Sequence, residues 1–167
     1  MLNLLILAIT TSVLAQSADR GTSDAVVNSA IIRINYGRPF LGGDSSEARF
    51  AAATVGTVWR LGMDEATEIS STGTLNVAGK RLPAGRYSLW ARKVGAEQWS
   101  LAFHPKIGIW GLPELREGFV GEIPLELTRV PSYNDQLLIL VTPQGADAKI
   151  SIYWGAAKLE CRVGVIR

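Results

Sequence analysis

Apolar and polar side chains alternate with a period of two along most of this chain, in short runs broken by glycine and proline. Such alternation puts successive side chains on opposite faces of an extended backbone, so it predicts half-buried strands. In residues 26–36 the apolar Ile32, Ile34 and Tyr36 alternate with Arg33 and Asn35, and the run ends at Gly37-Arg38-Pro39, which predicts a strand closed by a turn. Residues 57–61, 67–71 and 74–77 predict further short strands, with a turn at Ala78-Gly79-Lys80 before Arg81-Leu82 and another at Pro83-Ala84-Gly85. The clearest hairpin joins 86–92 to 98–104 through 93–97. Its phases gather Tyr87, Leu89, Ala91, Trp99, Leu101 and Phe103 on one face and turn Trp90, Arg92 and His104 to the other. Runs over 123–130, 136–142, 148–154 and 158–165 complete a meander or Greek-key set.

Only residues 42–53 fit a helix, with Asp44 or Ser45 as its cap. Turn signals that recur about every ten residues, without alternating helical windows, predict an all-β fold. The expected architecture is a single-domain antiparallel β-sandwich, jelly-roll-like or meander, with at most one short helix. The chain has 167 residues, and a domain near that size buries about 70% of its unfolded surface, so packing alone suffices for stability.

Residues 1–15 carry no charge and hold a short apolar core from Leu4 to Ile9, followed by Val13-Leu14-Ala15 before Gln16. Small residues at 13 and 15 suit a signal peptidase, so 1–15 are expected to be a signal peptide, 16–24 a flexible leader and 25–167 the folded domain. The usual positive start is missing, and the apolar run is shorter than the about 20 residues that span a bilayer. Secreted or periplasmic localisation follows as the expectation, with no membrane span after cleavage. The one cysteine, Cys161, excludes an internal disulfide, and its phase with Leu159, Val163 and Val165 predicts a buried, inert thiol.

The net charge is +2, and the basic residues are scattered, with pairs such as Lys80-Arg81 and Arg92-Lys93 expected as solvated surface. Nucleic acid is therefore not an expected partner, because binding a phosphate backbone calls for a dense cationic face. A triad would have to use His104, the sole histidine, and no Gly-x-Ser-x-Gly elbow occurs. One histidine and one inward cysteine do not make a metal set, so no metal and no cofactor are expected.

The most unusual segment is residues 58–67, where Arg60, Asp64, Glu65 and Thr67 crowd around Gly62. In one reading Arg60 and Glu65 form a forked ion pair while Thr67 bonds backbone, fixing a corner between strands. In the other, the same groups line a cleft with Trp59 or Trp90 as a stacking plate. Trp90, opposite the inferred core face, either stacks on a sugar or sits beneath a second layer, whereas Trp59, Trp99 and Trp154 are expected in the core.

An ordered set of motifs carries a resemblance: Tyr36-Gly37-Arg38-Pro39, then Val58-Trp59-Arg60-x-Gly62-x-x-Glu65-Ala66-Thr67, then Leu82-Pro83-Ala84-Gly85-x-Tyr87-x-Leu89. Together with Trp99, Trp110-Gly111 and Trp154-Gly155, it resembles the bacterial family catalogued as domain of unknown function 2911. The resemblance implies an exported β protein of about this size, with no activity attached. The chain departs from the family pattern at Asp64, where Asn is usual, and in a longer insertion over 41–55.

The leading expectation is an exported domain that binds a small polar ligand, a glycan or an envelope partner through Arg38, Arg60, Glu65, Thr67 and Trp90. The alternatives are a hydrolase-like enzyme, with Glu65 as acid or base and Arg60 holding an anion, and a purely structural envelope protein.

Overall fold

The computed structural model describes residues 20–43, 45–110 and 116–166. The expected signal segment, leader residues 16–19, the alternative cap Asp44 and Gly111 lie outside them. Among the described residues no helix is long and apolar enough to cross a membrane.

Strands β1 (Arg20–Val27) and β2 (Ala30–Gly37) form a hairpin through Asn28 and Ser29, both at positive φ, 49° and 68°. Two left-handed residues twist a tight turn in the same sense as its strands, and Asn tolerates that conformation better than most side chains. This corrects two expectations: residues 26–36 hold a turn as well as a strand, and residues 20–24 belong to β1 instead of a leader. The polarity of 20–24 reflects position. Asp24 faces solvent and accepts from Arg33 Nε and Nη2 across the hairpin, each at 2.8 Å, while Ala25 and Val27 point inward.

Helix α1 (Ser46–Ala52) starts at Ser45, whose hydroxyl accepts from Ala48 N at 3.0 Å. Then come β3 (Val58–Trp59), β4 (Glu68–Ser71), β5 (Thr74–Val77), β6 (Lys80–Leu82), β7 (Gly85–Lys93), β8 (Trp99–His104), β9 (Gly121–Gln144) and β10 (Asp147–Ile166). All pairings are antiparallel, in the order β1-β2-β4-β7-β8-β9-β10-β5-β6 with β3 beside β7. The ten-stranded open sheet curls until its first strand meets β9 and β10. Ser23 Oγ of β1 accepts from Val141 N of β9 at 2.9 Å, and Asn28 Nδ2 donates to Val165 O of β10 at 2.7 Å.

The enclosed face holds one apolar core, with Ile32, Ile69, Leu101, Phe103, Ile150 and Val163 fully buried. The all-β expectation holds, and β7 and β8 pair as expected, from Ser88 opposite His104 to Lys93 opposite Trp99. The four runs expected over 123–165 are two long strands instead. In β10 the buried apolar side chains are Ala148, Ile150, Ile152 and Trp154, then Ala157, Leu159, Cys161, Val163 and Val165. The inward phase slips by one residue across a bulge at Gly155, and without that slip the second half would turn its apolar side chains to water. Opposite the short span from Tyr153 to Ala157, β9 runs from Leu138 back to Arg129, so extra backbone loops over the break.

Gly155 has φ of 62°, and a Cβ there would overlap the Ser46 hydroxyl and come within 2.9 Å of Ser46 Cβ and 3.0 Å of Leu41 Cδ1. Gly145 also has positive φ, 62°, but has open space around it. Gly155→Ala therefore incurs left-handed strain plus displacement of α1, and is expected to cost about 2–4 kcal/mol, against about 1 kcal/mol for Gly145→Ala, in urea unfolding. Equal losses would show that α1 does not depend on the close approach.

Candidate functional site

The five residues singled out in the sequence lie at or behind one corner of the chain. Between β3 and β4, which run in the same direction beside β7, the chain loops out through Leu61 and Asp64, both at positive φ, 56° and 60°. Thr67 is fully buried; its hydroxyl donates to Leu61 O at 2.7 Å and its amide to Arg60 O at 3.0 Å. These bonds hold a buried leucine in a conformation that its side chain disfavours. Arg38 follows Gly37, and Gly37 and Gly62 lie backbone against backbone: a Cβ on Gly62 would sit 2.8 Å from Gly37 O. Glu65 is exposed, forms a backbone bridge with Trp110, and offers its carbonyl to Arg20 Nη1 at 3.3 Å. Among the described residues no ion pair joins Arg60 to Glu65, and none of the five residues lines the three openings described below.

Trp90 takes the expected phase and is nonetheless fully buried, in a second apolar cluster with Val58, Ala66 and Ala102, covered by Ile109 and Phe119. Its indole donates to Ser88 Oγ at 2.9 Å, so the ring is satisfied beneath a loop. His104 closes this layer: Phe119 stands edge-on at 5.6 Å and Nδ1 accepts from Lys106 N at 2.9 Å. Burial first, and the charge of Lys106 after it, push the His104 imidazole below its ordinary range, against opposing hydrogen bonds to the backbone of Lys106 and Glu117.

Two of the openings lie beside the bulge of β10. A cleft of about 550 Å³ is bounded by Phe50 and Ala51 of α1, by Lys93 and Trp99 of the β7–β8 hairpin, and by Arg129 and Ala157 where the long strands break register. Lys93 was expected at the surface; it is 6% exposed. The signal was present in the sequence, because Lys93 continues the inward phase of Tyr87, Leu89 and Ala91. Its ammonium donates to Phe50 O at 2.9 Å and lies 5.8 Å from the centre of Trp99. Phe50 O is one of the last carbonyls of α1, where a cation also meets the negative end of the helix. Among the described residues no carboxylate pairs with Lys93. Glu47 on the rim is held by Arg129 at 3.0 Å, and its carboxyl lies below the usual range through its own backbone amide first and Arg129 after it.

Trp99 also borders the two other openings. One, of about 610 Å³, lies along Ser100, Glu122 and Pro124, where Glu122 accepts from Arg92 Nη1 at 2.5 Å and from the Ser100 hydroxyl. The other is a slot of about 240 Å³ between Phe50, Trp59, Trp99 and Trp154, with Thr57 and Arg49 at its edge. Phe50 stands edge-on to Trp59 at 6.0 Å and to Trp99 at 5.4 Å, and Trp59 stacks on Trp154 at 5.3 Å. Trp99 and Trp154 belong to the core, as expected, and Trp59 packs against it partly buried, so the slot opens at the edge of that core. Among the described residues no cluster of His, Cys, Asp or Glu is placed to hold a metal ion.

The class defined by these features is an antiparallel β-sheet domain with a cation and an aromatic wall at a strand bulge. The chain belongs to the family described as "Protein of unknown function (DUF2911)", which matches residues 18–163. No curated protein and no solved structure matches it.

Two outcomes follow from the corner and the outer layer. Thr67→Val leaves the Leu61 carbonyl buried without its donor and is expected to cost about 1–3 kcal/mol, while Arg60→Ala stays within about 0.5 kcal/mol, both read by urea unfolding. The reverse ranking would move importance back to Arg60. For His104 the folded state favours the neutral ring, so the unfolded chain takes up the proton first, and stability is lost as pH falls through about 6.5. The advantage of wild type over His104→Asn should shrink between pH 7.5 and 5.5; a constant difference would refute the assignment.

Proposed function

We propose that this is an exported binding domain whose cleft under α1 takes a small molecule with an apolar body and one acidic group. The carrying observation is Lys93, a nearly buried ammonium that spends one hydrogen bond on Phe50 O and meets no carboxylate among the described residues, at the wall of an open cleft. A buried charge is costly unless paired, and an entering carboxylate supplies the missing counter-charge. Phe50, Ala51, Leu127 and Ala157 offer apolar surface for the rest of the ligand. The volume suits a compact metabolite-sized molecule. Export is supported by the uncharged, apolar first fifteen residues ending in Val13-Leu14-Ala15. Binding is favoured over hydrolysis because Glu65, the acid or base that hydrolysis would use, stands exposed at the corner and away from this cleft.

The test titrates hexanoate and octanoate into the domain at pH 7, followed by calorimetry, with hexanamide and octanamide as neutral controls. Saturable binding of the acids, at least about tenfold weaker binding of the amides, and a similar loss in a folded Lys93→Met variant are expected. Equal affinity for acid and amide, or no binding of either acid, would sink the reading.

A further inference from the structure

The cleft under α1 is lined by a second cation. Arg129 of β9 reaches Glu47 of α1, nitrogen to oxygen at 3.0 Å, with 74% of its side chain exposed, and both residues line the cleft that Lys93 also lines. The pair therefore ties one wall of the opening to the other, on its solvent side. Resting on the reading of Lys93 given above, we infer that the ligand of this cleft is a dicarboxylate. One carboxylate pairs with Lys93, and the other, at the far end of an apolar chain, takes the place of Glu47 on the Arg129 guanidinium.

One helix sets the spacing of the two cations. Lys93 Nζ donates to Phe50 O, Arg129 Nη2 meets Glu47 Oε1, and residues 47 and 50 stand three apart on one face of α1. Three residues rise about 4.5 Å along a helix, and with the reach of the Glu47 side chain the cations lie on the order of 10 Å apart, close enough for one short diacid to meet both. Glu47 gives Arg129 up at little cost. An exposed ion pair contributes little to stability, and the Glu47 carboxylate keeps its own backbone amide and the Ser46 hydroxyl, at 3.3 Å, as partners. The released guanidinium can then hold a ligand carboxylate through two parallel N–H bonds. An ammonium at the far end of the ligand is disfavoured, because it would lie against Arg129. Glu97, the remaining acid of the lining, is exposed in the β7–β8 connection, where water and salt screen it.

The experiment compares, by calorimetry at pH 7, adipate with hexanoate and suberate with octanoate, each diacid against the monoacid of its own length. At least one diacid is expected to bind about tenfold tighter than its monoacid. In Arg129→Gln that ratio should fall to about twofold or less, and in Glu47→Gln, which frees the guanidinium, it should widen. The dicarboxylate assignment is overturned if neither diacid gains over its monoacid, if Arg129→Gln keeps the ratio, or if Glu47→Gln narrows it. It is equally overturned if 6-aminohexanoate binds tighter than adipate, since the mouth of the cleft would then select an ammonium. Monoacids that bind with no margin for diacids remove this assignment alone, whereas no binding by any of the four acids removes the reading of Lys93 and this one with it. Should Arg129→Gln fail to fold, the wild-type ratio still decides.

Discussion

Between Trp154 and Ala157 the inward phase of β10 passes from even to odd positions, and much of the rest of the molecule hangs on that slip. A strand of this length twists as it crosses from one part of the curled sheet to another, and a strict period of two would have carried Leu159, Cys161, Val163 and Val165 to the solvent face. Gly155, in a left-handed conformation, absorbs the offset. The same residue leaves room for Ser46 and Leu41, so α1 seats on the break. The extra backbone of β9 opposite it, together with α1 and the end of the β7–β8 hairpin, leaves a hollow that no side chain fills. The cleft is thus a by-product of correcting a register.

Several cations lie against aromatic rings. Lys93 and Arg49 lie over Trp99 and Trp154, and Arg92 lies 5.1 Å over Phe119 while it also holds Glu122. Such contacts let cations sit close to apolar surface without a dedicated counter-ion. At the corner the logic is different: two glycines permit backbone to touch backbone, and Thr67 ties down what they leave. Gly37, Gly62 and Thr67, three of the residues that carry the family resemblance, are thus engaged in the packing of this corner.

The hairpin of β7 and β8 was legible because each arm alternates cleanly and both faces bear large side chains, so the phase is over-determined. The hairpin of β1 and β2 was not. Its turn residues, Asn28 and Ser29, interrupt an apolar run only briefly, and edge-strand polarity over 20–24 imitates a loose segment. β9 and β10 were seen as four runs since a bulge looks, in sequence, like a gap between strands. Lys93 sets two sequence signals against each other: its charge points to the surface, while its odd position shares the inward phase of Leu89 and Ala91, and the phase prevails. The aromatic slot is assembled from α1, β3, β8 and β10, and no local pattern in one segment predicts a meeting of four.

Cys161 lies in the second half of β10, facing the core, and burial pushes its thiol up to about 12. A thiolate is the reactive form, so the folded chain keeps its sulfur silent toward oxidants and alkylating reagents. That silence makes the residue a built-in clock. In reagent excess the sulfur is modified only when β10 separates from its neighbours, and the labelling rate then counts openings of the sheet one molecule at a time.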